Sequence, residues 1–139
     1  MLEVINYSKA YKNGKKAVNN ISLKVKSGEI FAFIGHNGAG KTTTIKSIVG
    51  ILDFEDGDIL IDGVSIKEEP MKCKSSIAYI PDNPDSYESL TGIQYLNFIA
   101  DIFDVSKDNR EKLIKKYADK FEITSFLGDL ISSYSHGMK

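Results

Sequence analysis

Eight consecutive residues concentrate the chemistry of this 139-residue chain: Gly35-His36-Asn37-Gly38-Ala39-Gly40-Lys41-Thr42. They match the spacing G-x-x-x-x-G-K-[ST]. A polyphosphate carries several negative charges and has to be held without competing carboxylates. Glycines let the backbone curl so that successive N–H groups face one centre. A helix that starts just after them adds its partial positive charge. Lys41 has the reach for β- and γ-phosphates, the Thr42 hydroxyl suits Mg²⁺, and Thr43 stands where it can meet an α-phosphate. A glycine-rich turn that only capped a helix would account for the glycines, but not for a lysine at that one position. His36 is read as a loop residue turned away from the phosphates, not as a general base.

Such a loop needs a strand before it and a helix after it. Residues 29–34, EIFAFI, form a continuous apolar run ending in glycine, the pattern of a strand buried on both faces. The loop then runs into a helix that ends near Gly50. Upstream, residues 2–7 read as a short, half-alternating strand. Asn13-Gly14 is a hairpin turn, and Ile21, Leu23 and Val25 alternate with polar residues as in a strand with one wet face. Downstream, Asp56-Gly57 is a turn, residues 58–62 and 63–66 a short hairpin, and residues 76–80 a further strand. Pro81 and Pro84 impose an irregular loop. Thr91 caps a helix to about Phe103, with Tyr95, Phe98, Ile99 and Ile102 on one face. Ser106 starts another, with Leu113, Ile114, Tyr117 and Phe121 at helical spacing. Both aromatic stripes are read as core packing and the lysines of the second helix as a solvated face. The order predicts a mixed α/β chain.

Composition bounds the rest. Hydrophobic residues at 42% and charged residues at 27% fit a single domain with one core. The net charge of −1 gives no basis for nucleic-acid binding through bulk positive charge. Arg110 is the only arginine and Cys73 the only cysteine, so no internal disulfide or cysteine metal cluster is possible. No run reaches the roughly 18 apolar residues that span a bilayer, and the first residues do not read as a signal peptide. Work at a membrane would require a partner to supply the spanning part.

The fuller string GHNGAGKTTT resembles the Walker A loop of ATP-binding-cassette (ABC) ATPases, and other matches follow in that family's order. Tyr11 lies upstream of the loop, where these cassettes place an aromatic ring that stacks on adenine. Val18 resembles the apolar residue that packs nearby. Residues 77–82 resemble the Q-loop, with Asp82 in the place of the usual glutamine. Asp82 is either a Mg²⁺-site carboxylate or a turn residue between two prolines. The segment from Ser133 to Lys139 resembles the ABC signature, usually LSGGQ. Ser135 and Gly137 match it, while Tyr134, His136 and Met138 depart from it in a way similar to cassettes of bacterial exporters with separate membrane subunits.

The resemblance implies an α/β fold, a P-loop NTPase of ABC type. An antiparallel β subdomain and the Walker A part of a partial parallel-sheet core would occupy residues 1–90. A helical subdomain ending in the signature would occupy 91–139. In the family, the Walker B aspartate, the catalytic glutamate and the switch histidine follow the signature, so these 139 residues are expected to bind ATP and Mg²⁺ without hydrolysing ATP by themselves. The strands expected to flank residues 29–34 and 76–80 also follow it, so both segments should lack partners and leave apolar side chains in water. The implied function is the motor of a transporter, an exporter, at the cytoplasmic face of the cell membrane. Its partners would be a transmembrane permease and a second nucleotide-binding subunit, with Ser135 gripping the nucleotide held by that second subunit; no nucleic acid is expected. The alternatives are a soluble ABC ATPase acting on ribosomes or DNA, and a non-enzymatic nucleotide-binding module.

Overall fold

A computed structural model describes residues 1–12, 14–81 and 87–139. Asn13 of the expected turn and Asp82 of the expected metal site lie outside them. The chain divides into two units, Met1–Tyr79 and Ile80–Lys139.

The first unit is built on a four-stranded antiparallel sheet in the order β2-β1-β3-β4. Its strands are β1 (Leu2–Ala10), β2 (Lys16–Val25), β3 (Asp56–Ile61) and β4 (Val64–Ser65). The imperfect alternation of the first two strands has a physical cause. Val4 and Tyr7 both face the core although they stand three positions apart, an odd spacing, because the register with β2 slips between them. Asn6 takes up the extra residue at φ 48°, a left-handed conformation that asparagine tolerates. Its N–H is satisfied by the Ser22 hydroxyl at 2.8 Å. β2 mirrors the device: Asn20 sits at φ 49° and donates to the Ser8 hydroxyl at 2.8 Å. Asp62 and Gly63, both at positive φ, turn β3 into β4 as a tight hairpin requires.

Helix α1 (Lys41–Ile48) lies against this sheet. The Tyr7 hydroxyl and the Ser47 hydroxyl, both on fully buried residues, share a hydrogen bond of 2.8 Å. Tyr7 meets Phe54 edge-on at 5.1 Å. Val4, Val18, Ile59, Ile61, Ile66 and Cys73 complete the core. Cys73, on helix α2 (Pro70–Lys74), is a buried thiol aimed at the Val64 carbonyl, with burial pushing its pKa up.

The second unit holds α3 (Gly92–Ile102) and α4 (Lys107–Lys120). Thr91 and Gln94 form a reciprocal capping box at the start of α3, and Ser106 is the N-cap of α4. Arg110 joins the helices, its guanidinium reaching Asp101, Asn97 and the Val105 carbonyl. The aromatic stripes are only partly core. Leu113, Tyr117 and Phe121 line an open apolar groove with Leu96, Ile99 and Phe103, and Phe98, Ile102, Phe103 and Phe121 all remain exposed. A pair of helices covers only the faces they turn to each other.

Residues 29–34, read as a strand buried on both faces, and 76–80, read as a further strand, form no strand and belong to no ladder, and the expectation that both would lack partners and leave apolar side chains in water is met. A run that is apolar on both faces requires neighbours on both edges, and no described strand supplies them. Ile30 and Ile34 are 102% and 92% exposed, and Ile80 is 90% exposed. Each such side chain forgoes roughly 1.5–3 kcal/mol of burial.

The 139-residue chain is accordingly expected to self-associate through residues 29–34. Sedimentation velocity should show oligomers that grow with concentration, and Ile30→Lys combined with Ile34→Lys should restore a monomer; a wild-type chain that stays monomeric would contradict this. Tyr7→Phe leaves the buried Ser47 hydroxyl unpaired and should cost about 1–3 kcal/mol in chemical denaturation. Burial raises the Tyr7 pKa more than the Ser47 hydrogen bond lowers it. Its contribution to wild-type stability should therefore be fully present below pH about 10 and decline as pH rises from there through the raised folded value, because the unfolded chain ionises first.

Candidate phosphate-binding loop and signature segment

The loop ahead of α1 owes its shape to two glycines. Gly38 and Gly40 stand at φ 84° and 89°. Gly40 is also pressed against β2: a Cβ there would lie 2.5 Å from the Ala17 carbonyl oxygen and 2.9 Å from a Val18 methyl. Only glycine combines that conformation with that approach. Val18 thus acts as the buried wall on which the end of the loop rests.

Lys41 folds back along the loop. Its ammonium donates to the carbonyls of Gly35 at 2.5 Å and His36 at 2.8 Å, which leaves one of three N–H bonds for a further acceptor. The N–H groups of Gly38, Gly40, Lys41 and Thr42 donate to no acceptor among the described residues. Unpaired donors at a helix start, beside a lysine and without a neighbouring carboxylate in the loop, suit an oxyanion-rich ligand such as a triphosphate. The Thr42 hydroxyl is exposed at the first turn, where it suits a hard cation carried by that ligand. Among the described residues no group of three or more His, Cys, Asp or Glu could hold a metal by itself.

His36 is exposed, with Nδ1 2.9 Å from the Asn37 carbonyl. Asn37 and Ala39 are exposed loop residues, and the Ala39 N–H closes a turn on the His36 carbonyl at 3.2 Å. Tyr11 reaches the same place from the β1–β2 connection: its hydroxyl lies 3.1 Å from the Thr43 hydroxyl. The ring is 43% exposed, so an aromatic face is open to a flat ligand. Tyr11, Val18 and the whole of Gly35 to Thr43 therefore converge in one unit.

Thr44 and Ser47 were missed by sequence reasoning. Thr44 is buried and donates to the Gly40 carbonyl at 2.9 Å, and Ser47 meets Tyr7. Small hydroxyl residues three apart on one helix face are the signal that could have shown where α1 presses closest to the sheet.

Ser135 and Gly137 lie in the second unit, on an exposed turn in which the Ser135 carbonyl accepts from the N–H groups of Met138 and Lys139 at 3.0 and 3.1 Å. Lys139 pairs with Glu88 at 2.7 Å. No described helix is long and apolar enough to cross a membrane.

Comparisons with known proteins bear on the family and the fold. The family model described as ABC transporter matches residues 18–139. YhcH of Bacillus subtilis (strain 168), an uncharacterized ABC transporter ATP-binding protein, is 34% identical over 140 residues, covering 100% of this chain and 44% of its own length. SkfE of the same organism, the SkfA peptide export ATP-binding protein, is 32% identical over 139 residues, covering 100% and 57%. A solved ATP-binding subunit of an ABC transporter superposes with a TM-score of 0.87 at 33% identity, over 99% of this chain and 57% of the other. The structure of cbiO1 from Clostridium perfringens, part of the ABC transporter complex cbiONQ, does so at 0.84 and 28%, over 99% and 56%. The chain spans about half the length of the curated relatives it matches. Its fold is that of the nucleotide-binding domains of ABC ATPases, a P-loop NTPase fold, and the chain belongs to the ABC transporter family of ATP-binding proteins.

Proposed function

We propose that the protein binds MgATP as the motor subunit of an ABC exporter, peripheral to the cytoplasmic face of the cell membrane, with a transmembrane permease and a second nucleotide-binding subunit as partners. The observation that carries this reading is the set of unpaired N–H donors and the Lys41 ammonium around a loop shaped by Gly38 and Gly40. In it, Lys41 neutralises the terminal phosphates and the Thr42 hydroxyl holds Mg²⁺. Thr43 meets the α-phosphate, and the Tyr11 ring lies under adenine. Bound, MgATP supplies the phosphoanhydride energy that resets the motor. Ser135 and Gly137 engage the nucleotide held by the second subunit. The name of SkfE, a peptide export protein, supports the export direction.

Lys41→Ala removes a charge-assisted contact worth about 1.5–3 kcal/mol. Calorimetry should show ATP affinity falling by roughly 10- to 150-fold; unchanged affinity would reject the assignment of the loop. Among the described residues no carboxylate stands in the loop from Gly35 to Thr43 to orient an attacking water, so a phosphate-release assay on these 139 residues should find no sustained turnover. Turnover that disappears with Lys41→Ala would instead point to a base among these residues, with Asp82 the first to test.

A further inference from the structure

Tyr134 directly precedes the signature serine and stands where the common form of the motif has leucine. It ends a short 3₁₀ turn over Ile131–Ser133 and is itself extended. Its phenol donates to the Phe126 carbonyl at 2.6 Å. The ring tip occupies the space that Gly92, the buried first residue of α3, leaves open: a Cβ on Gly92 would overlap the Tyr134 hydroxyl. The same stretch is fastened to the start of α3 by its backbone. Gly92 N–H donates to the Asp129 carbonyl at 3.2 Å, Ile93 N–H to Leu127 at 2.8 Å, and Ile131 N–H to Leu90 at 2.9 Å.

Beyond Tyr134 the chain turns back on itself, the Ser135 carbonyl accepting from the N–H groups of Met138 and Lys139, and Lys139 pairing with Glu88. Ser135 is exposed, and its hydroxyl has no partner among the described residues. A hydroxyl can be aimed at a ligand only if its backbone is held, and the anchor nearest to it on the N-terminal side is the Tyr134 side chain. A leucine there would fill space but could not bond to the Phe126 carbonyl. Burial raises the Tyr134 pKa, with Asp129 adding to the effect and the Gly92 backbone opposing it, so the phenol remains a donor at neutral pH.

We propose that Tyr134 is a positioning residue for the signature segment: its phenol, seated against Gly92 and bonded to the Phe126 carbonyl, fixes the backbone from which Ser135 engages the nucleotide of the second subunit. The proposal rests on the reading of Ser135 given above. It is tested in the protein expressed from its own gene, with ATP-driven dimerisation measured by light scattering and ADP binding to dilute monomer measured alongside. Tyr134→Phe keeps the ring and removes the bond; it should weaken the ATP-bound dimer roughly five- to tenfold while leaving ADP affinity unchanged. Gly92→Ala, which displaces the ring, should do the same. Ser135→Ala separates the two ideas. If it leaves the dimer intact, the reading of Ser135 falls and the proposal with it. If it weakens the dimer and Tyr134→Phe does not, the proposal alone is overturned. Parallel loss of ADP affinity in Tyr134→Phe would also overturn it, since that marks general damage to the fold and not a positioning defect.

Discussion

The first unit depends on how closely one helix can approach one hairpin. The N-terminus of α1 comes down on β2 at Gly40, where a single methyl group would strike the Ala17 carbonyl. Further along, Tyr7 and Ser47 join the same helix to β1 through a hydrogen bond in the core. One contact is steric and the other polar, and together they set both the height and the rotation of the helix. That in turn sets where the Lys41 ammonium and the unpaired N–H groups face. Thr44, bonding back to Gly40, stiffens the junction of loop and helix. Tyr11 depends on it as well, because its hydroxyl meets Thr43 in the first turn of the same helix. The Tyr11 hydroxyl and the Lys41 ammonium are thus referred to one rigid element, which limits how far they can drift apart.

Against this well-tied sheet stand residues 29–34, directly upstream of the loop and without a ladder. Phe31 and Phe33 contact each other at 5.8 Å, while Ile30 and Ile34 face water. The loop is therefore braced on its helical side, through α1 and β2, and not by a strand on its other side. In the second unit the bracing is polar: the Thr91–Gln94 box and the multiply bonded Arg110 fix two helices whose apolar faces are only half covered. The buried Nε of Arg110 lacks a partner, a local cost of using the one arginine of the chain as the link between α3 and α4.

Much of this was legible in the sequence because local chemistry dictated it. The turn residues between 58–62 and 63–66 mark a short hairpin, Thr91 marks a helix start, and the spacing from Gly35 to Thr42 demands a loop running into a helix. What escaped notice was non-local. The bulges at Asn6 and Asn20 break the period-2 pattern, so residues 2–7 read as a poor strand when they belong to a long one. Thr44 and Ser47 look like surface residues until the sheet beneath them is known. The run at 29–34 is apolar on both faces, but strand formation also requires partners; composition does not reveal whether they are present, and it was the family resemblance that implied they would be missing. Tyr134 registered as a departure from a motif; its reason lies at Gly92 and Phe126, positions that spacing rules do not connect to it.

The fit of Tyr134 against Gly92 constrains how this sequence can evolve. Two positions far apart along the chain share one small volume, so neither can change freely. With tyrosine at 134, any side chain at 92 would strike its hydroxyl, and a smaller residue at 134 would leave an unfilled gap beside Gly92. Substitutions here must travel as pairs: glycine with tyrosine, or a bulkier helix start with a shorter partner. Lineages that cross between the two states pass through an intermediate that is either clashing or hollow, and selection should keep that intermediate rare. Tyr134 and Gly92 should accordingly be inherited together as a two-residue character within this branch of the family.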